Sequence, residues 1–444
     1  MDMAFLGDLL TSVADRGRAL IGLERFVGGR SRPIGRLCED LLSGRGEASG
    51  MALARAVLDD WERLDKAGRR AFFALLQERF GPDHDRLEKA IDAYRAEPNA
   101  ATTAALHLAS EPRRQELLRR LNLAPDGTHV LVRMREALFE AMEEDKALAS
   151  VDADFRHLFS SWFNRGFLVL RRIDWRTPAN VLEKIIRYEA VHEIQGWDDL
   201  RRRLEPADRR CFAFFHPQLV DEPLIFVEVA LTGDIPRSIG EVLSTERAVL
   251  PAKDATTAVF YSISNCQEGL RGISFGNFLI KQVAEDLKRE LPGLDTFVTL
   301  SPMPGFARWL STVAAEPGDV PLTNEERAEL ARPAGETISL DDATRARRDK
   351  LLGQMAAEYM LRARSPAGRV VDPVARFHLG NGAMLERINV AGNMSARGLR
   401  ESHGVMVNYR YDLDDIETNH EAFATRNTVV ASSAVRKLLR PAAN

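Results

Sequence analysis

The sequence predicts an α+β chain of two domains: an all-α helical bundle over residues 1–166, then a mixed-sheet α/β domain over residues 167–444 that carries a helical insertion. Three observations predict it. Up to about Phe163 the chain is rich in Leu, Ala, Arg and Glu, and its apolar residues recur at helical spacing. Past Gly166, short β-rich runs bounded by turn residues alternate with amphipathic stretches. From about Ser311 to Arg364 the pattern becomes helical and charged again before extended runs return.

In the first domain Ala71, Phe72, Leu75, Leu76 and Phe80 gather on one helix face. Helices should stop at Gly44-Arg45-Gly46, Gly81-Pro82, Glu97-Pro98-Asn99 and Pro125-Asp126-Gly127. In the second domain, strands are expected at Phe167–Leu170, Cys211–Phe215, Leu224–Leu231, Thr257–Ile263 and Asp295–Leu300. The first two are joined by a helix that opens with Thr177 as N-cap and Pro178 in its first turn. Another helix should run from about Ser274 to Glu290, with Phe275, Phe278, Leu279, Val283 and Leu287 on one face. Within the insertion Thr323 caps a helix before Asn324, and extended structure returns near Val370–His378 and at Val405–Tyr411.

With 61 basic against 65 acidic residues, the net charge of −4 provides no global field for nucleic acid or acidic membranes, so neither partner is expected. Hydrophobic residues at 45% are enough for a packed core and exclude disorder and collagen. Apolar clusters such as Leu224–Leu231 fall well short of the ~20 residues that span a bilayer. Cys38, Cys211 and Cys266 lie too far apart for a CxxC site and read as buried small hydrophobes in a reducing compartment. The start, Met1-Asp2-Met3-Ala4-Phe5, lacks signal-peptide character and Pro441–Asn444 is no peroxisomal or ER address, so a cytoplasmic location is expected.

No GxxxxGK[ST], GxGxxG, HExxH or CxxC occurs, which leaves NTPase, Rossmann and zincin readings without their motifs. Three stretches remain. In Tyr261–Gly276, glycines 269, 272 and 276 follow a strand and enter a helix, either cradling an anion with backbone N–H groups or forming a tight packed turn. In Leu300-Ser301-Pro302-Met303-Pro304-Gly305-Phe306 the prolines stiffen a loop at a strand end, so that Ser301 is either rigidly presented or incidental to the turn. In Asp372–Ala383, His378 precedes a Gly-Asn-Gly turn and serves either as a titrating group or as a structural hydrogen-bonder. Asn408 and Tyr411 on the last strand offer polar side chains.

Together these stretches resemble the malonyl-CoA decarboxylase family, and a bacterial member of it. The resemblance is carried by Tyr261-Ser-Ile-Ser264, Gln267-Glu-Gly-Leu-Arg-Gly272, Gly276-Asn-Phe-Leu-Ile-Lys281, Leu300–Phe306, Phe377-His-Leu-Gly-Asn-Gly-Ala383 and Asn408-Tyr-Arg-Tyr411, with Glu189-Ala-Val-His192 and Val229–Ile235 upstream. It covers most of residues 155 to 411 and implies a helical domain used in self-association, followed by a catalytic domain with the fold of GCN5-related acetyltransferases (GNAT). In that fold the loop after a central strand binds the CoA pyrophosphate, which here falls on Arg271, Gly272, Ile273, Ser274, Phe275, Gly276 and Asn277, supported by Gln267 and Gly269. The usual [Q/R]xxGx[G/A] form of the loop is broken, since Leu270 stands where the first glycine falls, while Gly272 matches the second.

The resemblance further implies Ser301 and His378 as the catalytic pair, the serine as proton acceptor and the histidine as proton donor, with Gly272 and Tyr411 lining the pocket. Malonyl-CoA would be the substrate, its CoA being part of the substrate rather than a cofactor. Loss of CO₂ sends electrons into the thioester as an enolate, a step that needs oxyanion stabilisation and a proton but no metal. Other readings are a CoA-dependent acyltransferase on the same fold, a Ser/His thioesterase, and a noncatalytic CoA-binding protein.

Overall fold

Glycines, prolines and capping side chains partition the described residues up to Phe163 into helices. A computed structural model describes residues 32–43, 46–275, 279–315, 320–332 and 341–440. Its first helices are α1 (Ile34–Leu42), α2 (Glu47–Arg63), α3 (Lys66–Arg79), α4 (His84–Ala96), α5 (Ala100–Ser110), α6 (Arg113–Asn122), α7 (Gly127–Glu144) and α8 (Ala149–Trp162). Asp65 and Asp83 accept the N–H groups of Gly68 and Arg86 to cap α3 and α4, and Asn99 forms a capping box with Thr102 at α5. The breaks at Gly81-Pro82 and Glu97–Asn99 fall between helices as expected, and Pro125-Asp126 separates α6 from α7, which opens at Gly127; Gly44 and Arg45 lie outside the described residues. The buried stripe of α3 is Phe72, Phe73 and Leu76, continued by Phe80, whereas Ala71 is exposed. The larger apolar area of Phe73 outweighs that of Ala71 and rotates the helix toward the aromatic side.

Two units emerge from the contacts. One joins residues 1–169 with residues 215–224 and 267–275, and the other joins 170–214, 225–266 and 276–444. The helical unit therefore takes in two segments that the sequence reading placed in the second domain.

The second domain is built on an eight-stranded mixed sheet: β1 (Val169–Ile173), β2 (Arg209–Phe215), β3 (Pro223–Thr232), β4 (Thr257–Asn265), β5 (Thr296–Thr299), β6 (Ser301–Pro302), β7 (Met384–Asn389) and β8 (Met406–Arg410). Strand order is β1-β2-β3-β4-β5-β8-β6, with β7 also pairing β8. β3 and β4 are antiparallel and carry a register shift at Glu228/Val229. β4 and β5 are parallel from Thr257↔Thr296 to Phe260↔Thr299, and β4 then continues past that ladder to Asn265. Ala230, Val259, Tyr261, Val298, Leu300 and Met406 belong to a buried hydrophobic cluster on this sheet.

Around it lie α9 (Ala179–Tyr188), α10 (Trp197–Leu204), α11 (Ile239–Leu243), α12 (Leu279–Glu290), α13 (Phe306–Ala315), α14 (Asn324–Leu330), α15 (Asp342–Leu361), α16 (Pro373–Gly380), α17 (Ala396–Ser402), α18 (Ile416–Arg426) and α19 (Ser433–Arg436). The insertion is helical, and Thr323 forms a capping box with Glu326. Three local expectations are corrected. Pro178, not Thr177, occupies the N-cap of α9, because the Thr177 hydroxyl accepts the Asp174 N–H instead. Ser274 and Phe275 are loop, with Leu279, Ile280, Val283, Ala284 and Leu287 buried on α12. The stretch ending at His378 is not extended but is helix α16, as described below. Among the described residues no helix is long and apolar enough to cross a membrane, and all three cysteines are buried thiols outside any disulfide.

Candidate active site

Asp372-Pro373 decides the local structure that carries His378. The Asp372 side chain accepts the Ala375 N–H at 2.9 Å, and Pro373 enters the first turn, where its missing donor costs nothing. This N-terminal signal overrides the extended reading of Val370–His378 and places His378 in the last turn of α16. Ser301 lies on β6, opposite Val407 of β8.

The sheet and helix bring the two together. His378 Nε2 lies 3.1 Å from Ser301 Oγ, and His378 Nδ1 lies 2.8 Å from the Tyr411 hydroxyl. The Ser301 hydroxyl donates to Thr299 Oγ1 at 2.9 Å, and Thr299 Oγ1 also accepts the Tyr409 N–H at 3.2 Å. With the serine proton committed to Thr299, the serine lone pairs face the ring. The matching tautomer carries its proton on Nε2 and accepts the Tyr411 O–H at Nδ1. The Tyr409 ring stacks on the imidazole at 4.5 Å between centroids. Ser301, His378, Thr299 and Tyr411 are all buried.

That burial sets the electrostatics. Desolvation pushes the His378 pKa down to about 3, and the Tyr411 phenol well above its ordinary value. No carboxylate contributes to the shift of His378, so the third member of the constellation is a neutral phenol. A Ser-His-Asp hydrolase uses its carboxylate to stabilise the imidazolium formed during serine attack, and Tyr411 cannot do this.

Two positioning contacts were not apparent in sequence. Thr299 lies two residues before Ser301 on the same strand direction, so period-two alternation was the available signal. Tyr359 of α15 donates to Asp372 Oδ2 at 3.2 Å, and a Cβ on Gly305 would stand 2.5 Å from its hydroxyl oxygen. One insertion side chain thereby touches both the cap of the histidine helix and the loop that follows the serine. Asn408 is fully committed behind the site: its Nδ2 donates to Thr299 O at 2.8 Å, and its Oδ1 accepts from Asn389 at 2.7 Å and Arg387 at 3.2 Å.

The glycine-rich loop belongs to the helical unit. Its glycines differ in purpose. A Cβ on Gly269 would stand 2.0 Å from Val132 O on α7, so this glycine answers to packing. Gly272 has φ +78° with open space where its Cβ would stand, a conformation that brings backbone close to a ligand. Ile273 and Phe275 are buried, whereas Arg271, Gly272 and Ser274 are exposed. Arg271 pairs with Glu268 at 2.5 Å, and Gln267 Nε2 donates to Pro223 O at 3.1 Å. Gly276 and Asn277 lie outside the described residues.

Comparison with known proteins agrees in both halves. The family described as Malonyl-CoA decarboxylase C-terminal domain matches residues 166–444, and that described as Malonyl-CoA decarboxylase N-terminal domain matches residues 80–163. The chain belongs to the malonyl-CoA decarboxylase family. Membership makes it an enzyme, a carboxy-lyase. The crystal structure of a malonyl-CoA decarboxylase from Agrobacterium vitis is 60% identical, covers 92% of this chain and 100% of that one, and superposes with a TM-score of 0.87. One from Rhodopseudomonas palustris is 57% identical over 91% of this chain and 98% of its own, with a TM-score of 0.86. The mitochondrial malonyl-CoA decarboxylase of Anser anser anser is 36% identical over 405 residues, 84% of this chain and 80% of that protein.

Proposed function

We propose that this chain converts malonyl-CoA to acetyl-CoA and CO₂ through a thioester enolate that His378 protonates, with Ser301 orienting the ring and the departing carboxylate. The observation that carries the reading is the Ser301–His378–Tyr411 chain, in which a buried neutral imidazole meets a hydroxyl on one side and a phenol on the other. Such a site has no anion of its own to support an imidazolium. Malonyl-CoA brings one, because its carboxylate is the group that leaves.

The steps balance as follows. The substrate binds with its malonyl carboxylate ionised and with uptake of one proton to His378. The Cα–carboxylate bond breaks and its electron pair enters the thioester as enolate. The imidazolium then gives its Nε2 proton to the α-carbon and returns to the neutral ring. The thioester carbonyl is the electron sink, so the proposed reaction calls on no cofactor beyond the CoA of the substrate. Backbone donors at Gly272 and its neighbours, with Arg271, are proposed to meet the CoA phosphates.

The test is direct. His378→Gln and Ser301→Ala should each lower kcat by ~10²–10⁴ while circular dichroism and CoA affinity stay near wild type. Undiminished turnover in either variant removes that residue from the mechanism. A CoA-dependent acyltransferase would need an amine acceptor, so CO₂ and acetyl-CoA appearing without one decides against it. Light scattering of the purified chain tests the further proposal that the helical domain joins copies into a dimer or tetramer.

A further inference from the structure

One buried side chain of α7 holds the glycine-rich loop from behind. Arg135 is 1% exposed, and its Nε donates to Asp152 Oδ1 at 2.8 Å. Its Nη1 donates to two loop carbonyls, Gly269 O at 2.8 Å and Arg271 O at 2.9 Å. Glu136, the next residue on α7, accepts the Gly269 N–H at 3.4 Å. The guanidinium groups of Arg135 and Arg271 both lie over the Phe139 ring, 4.7 and 4.3 Å from its centroid. Gly269 itself is pressed against Val132 O too closely for any side chain.

These contacts have a directional consequence. In a planar trans peptide the C=O and the following N–H point in opposite directions. Drawing the Arg271 carbonyl onto the Arg135 guanidinium therefore turns the Gly272 N–H away from α7, at the residue where positive φ and open space let a ligand approach. A buried, fork-shaped donor suits this better than an ammonium, because three donors must meet Asp152 and two carbonyls at fixed angles.

We propose that Arg135 is a positioning residue for substrate binding, holding the Gly269 and Arg271 carbonyls so that the Gly272 N–H faces the CoA pyrophosphate. This rests on the reading of the loop as the pyrophosphate site.

The experiment uses the full-length enzyme and two substrates, malonyl-CoA and malonyl-N-acetylcysteamine, which has the same reacting group and no pyrophosphate. The quantity read is the ratio of their kcat/KM values. Arg135→Lys keeps a charge beside Asp152 but loses the fork, and should lower this ratio at least about tenfold, through KM for malonyl-CoA. Gly272→Ala, strained at positive φ, should lower it as well. A ratio unchanged in Arg135→Lys while Gly272→Ala lowers it overturns the role of Arg135 and leaves the loop reading standing. A ratio unchanged in Gly272→Ala and in Arg271→Ala overturns the loop reading itself. Should Arg135→Lys fail to fold by circular dichroism, Asp152→Asn, which loosens the guanidinium from its carboxylate, carries the test: a several-fold lower ratio supports the proposal and an unchanged ratio refutes it.

Discussion

The proposed protonation of the enolate by His378, which burial holds neutral in the free enzyme, requires substrate binding to raise the pKa of that histidine. The size of the rise can be worked out. Burial leaves His378 at about 3. A malonyl carboxylate placed ~3 Å from the ring, at an effective dielectric of ~20, interacts with imidazolium by about 332/(20 × 3) ≈ 5.5 kcal/mol. At 1.36 kcal/mol per pKa unit this is a rise of about 4 units, which brings the histidine to about 7 in the complex. Binding at pH 7 should then take up roughly half a proton per site, and kcat should fall as pH rises above about 7. Sulfoacetyl-CoA, whose sulfonate cannot leave as CO₂, is a suitable dead-end mimic. Proton uptake is read by calorimetry in buffers of different ionisation enthalpy. The wild type should show the uptake and His378→Gln should not. Equal uptake in both proteins, or a kcat independent of pH from 6 to 9, would refute the reasoning.

Three further outcomes follow from the same geometry. Thr299→Val keeps the volume but deprives the Ser301 hydroxyl of its acceptor, so kcat should drop about tenfold with KM for malonyl-CoA nearly unchanged, in steady-state assays. Tyr359→Phe retains the ring against Phe306 and Trp309 but removes the hydroxyl that donates to Asp372 Oδ2, and should cost about 1–3 kcal/mol in urea unfolding together with a lower kcat; full stability would show that this bond contributes nothing. Acid should weaken the fold. His378 and His192 are both held near 3 by burial, so each binds a proton in the unfolded chain before the native one. The stability that comes from keeping them neutral is present above pH 6.5 and drains away as pH falls toward 3, by about 2 kcal/mol per histidine between pH 7 and 5. Urea midpoints at the two pH values check this, and His378→Gln should show about one proton less of pH dependence than wild type.

Much of the scaffold was legible because its determinants are local. Asp83, Asn99 and Thr323 cap helices through partners three residues away, and Gly81-Pro82 or Pro125–Gly127 break them for reasons internal to the backbone. Misreadings arose where two local signals competed. Val370–His378 is apolar enough for a strand, yet the Asp372 cap and Pro373 make it a helix. Strand β7 was missed because Glu386 and Arg387 interrupt its apolar pattern, and its pairing is supplied by β8.

The chain by itself determined the helical-then-mixed-sheet order, the glycine loop, and, through its resemblance to a family, the pair Ser301 and His378. Only the tertiary structure brought the two side chains together. Tyr411, 33 residues beyond His378, replaces a carboxylate at Nδ1, and no spacing rule announces that substitution. Arg135 is one of 61 basic residues and lies 134 positions before Gly269. In sequence it looks like any helix-surface arginine. What distinguishes it is burial, which removes water and leaves its Nε and Nη1 donors to find partners within the fold.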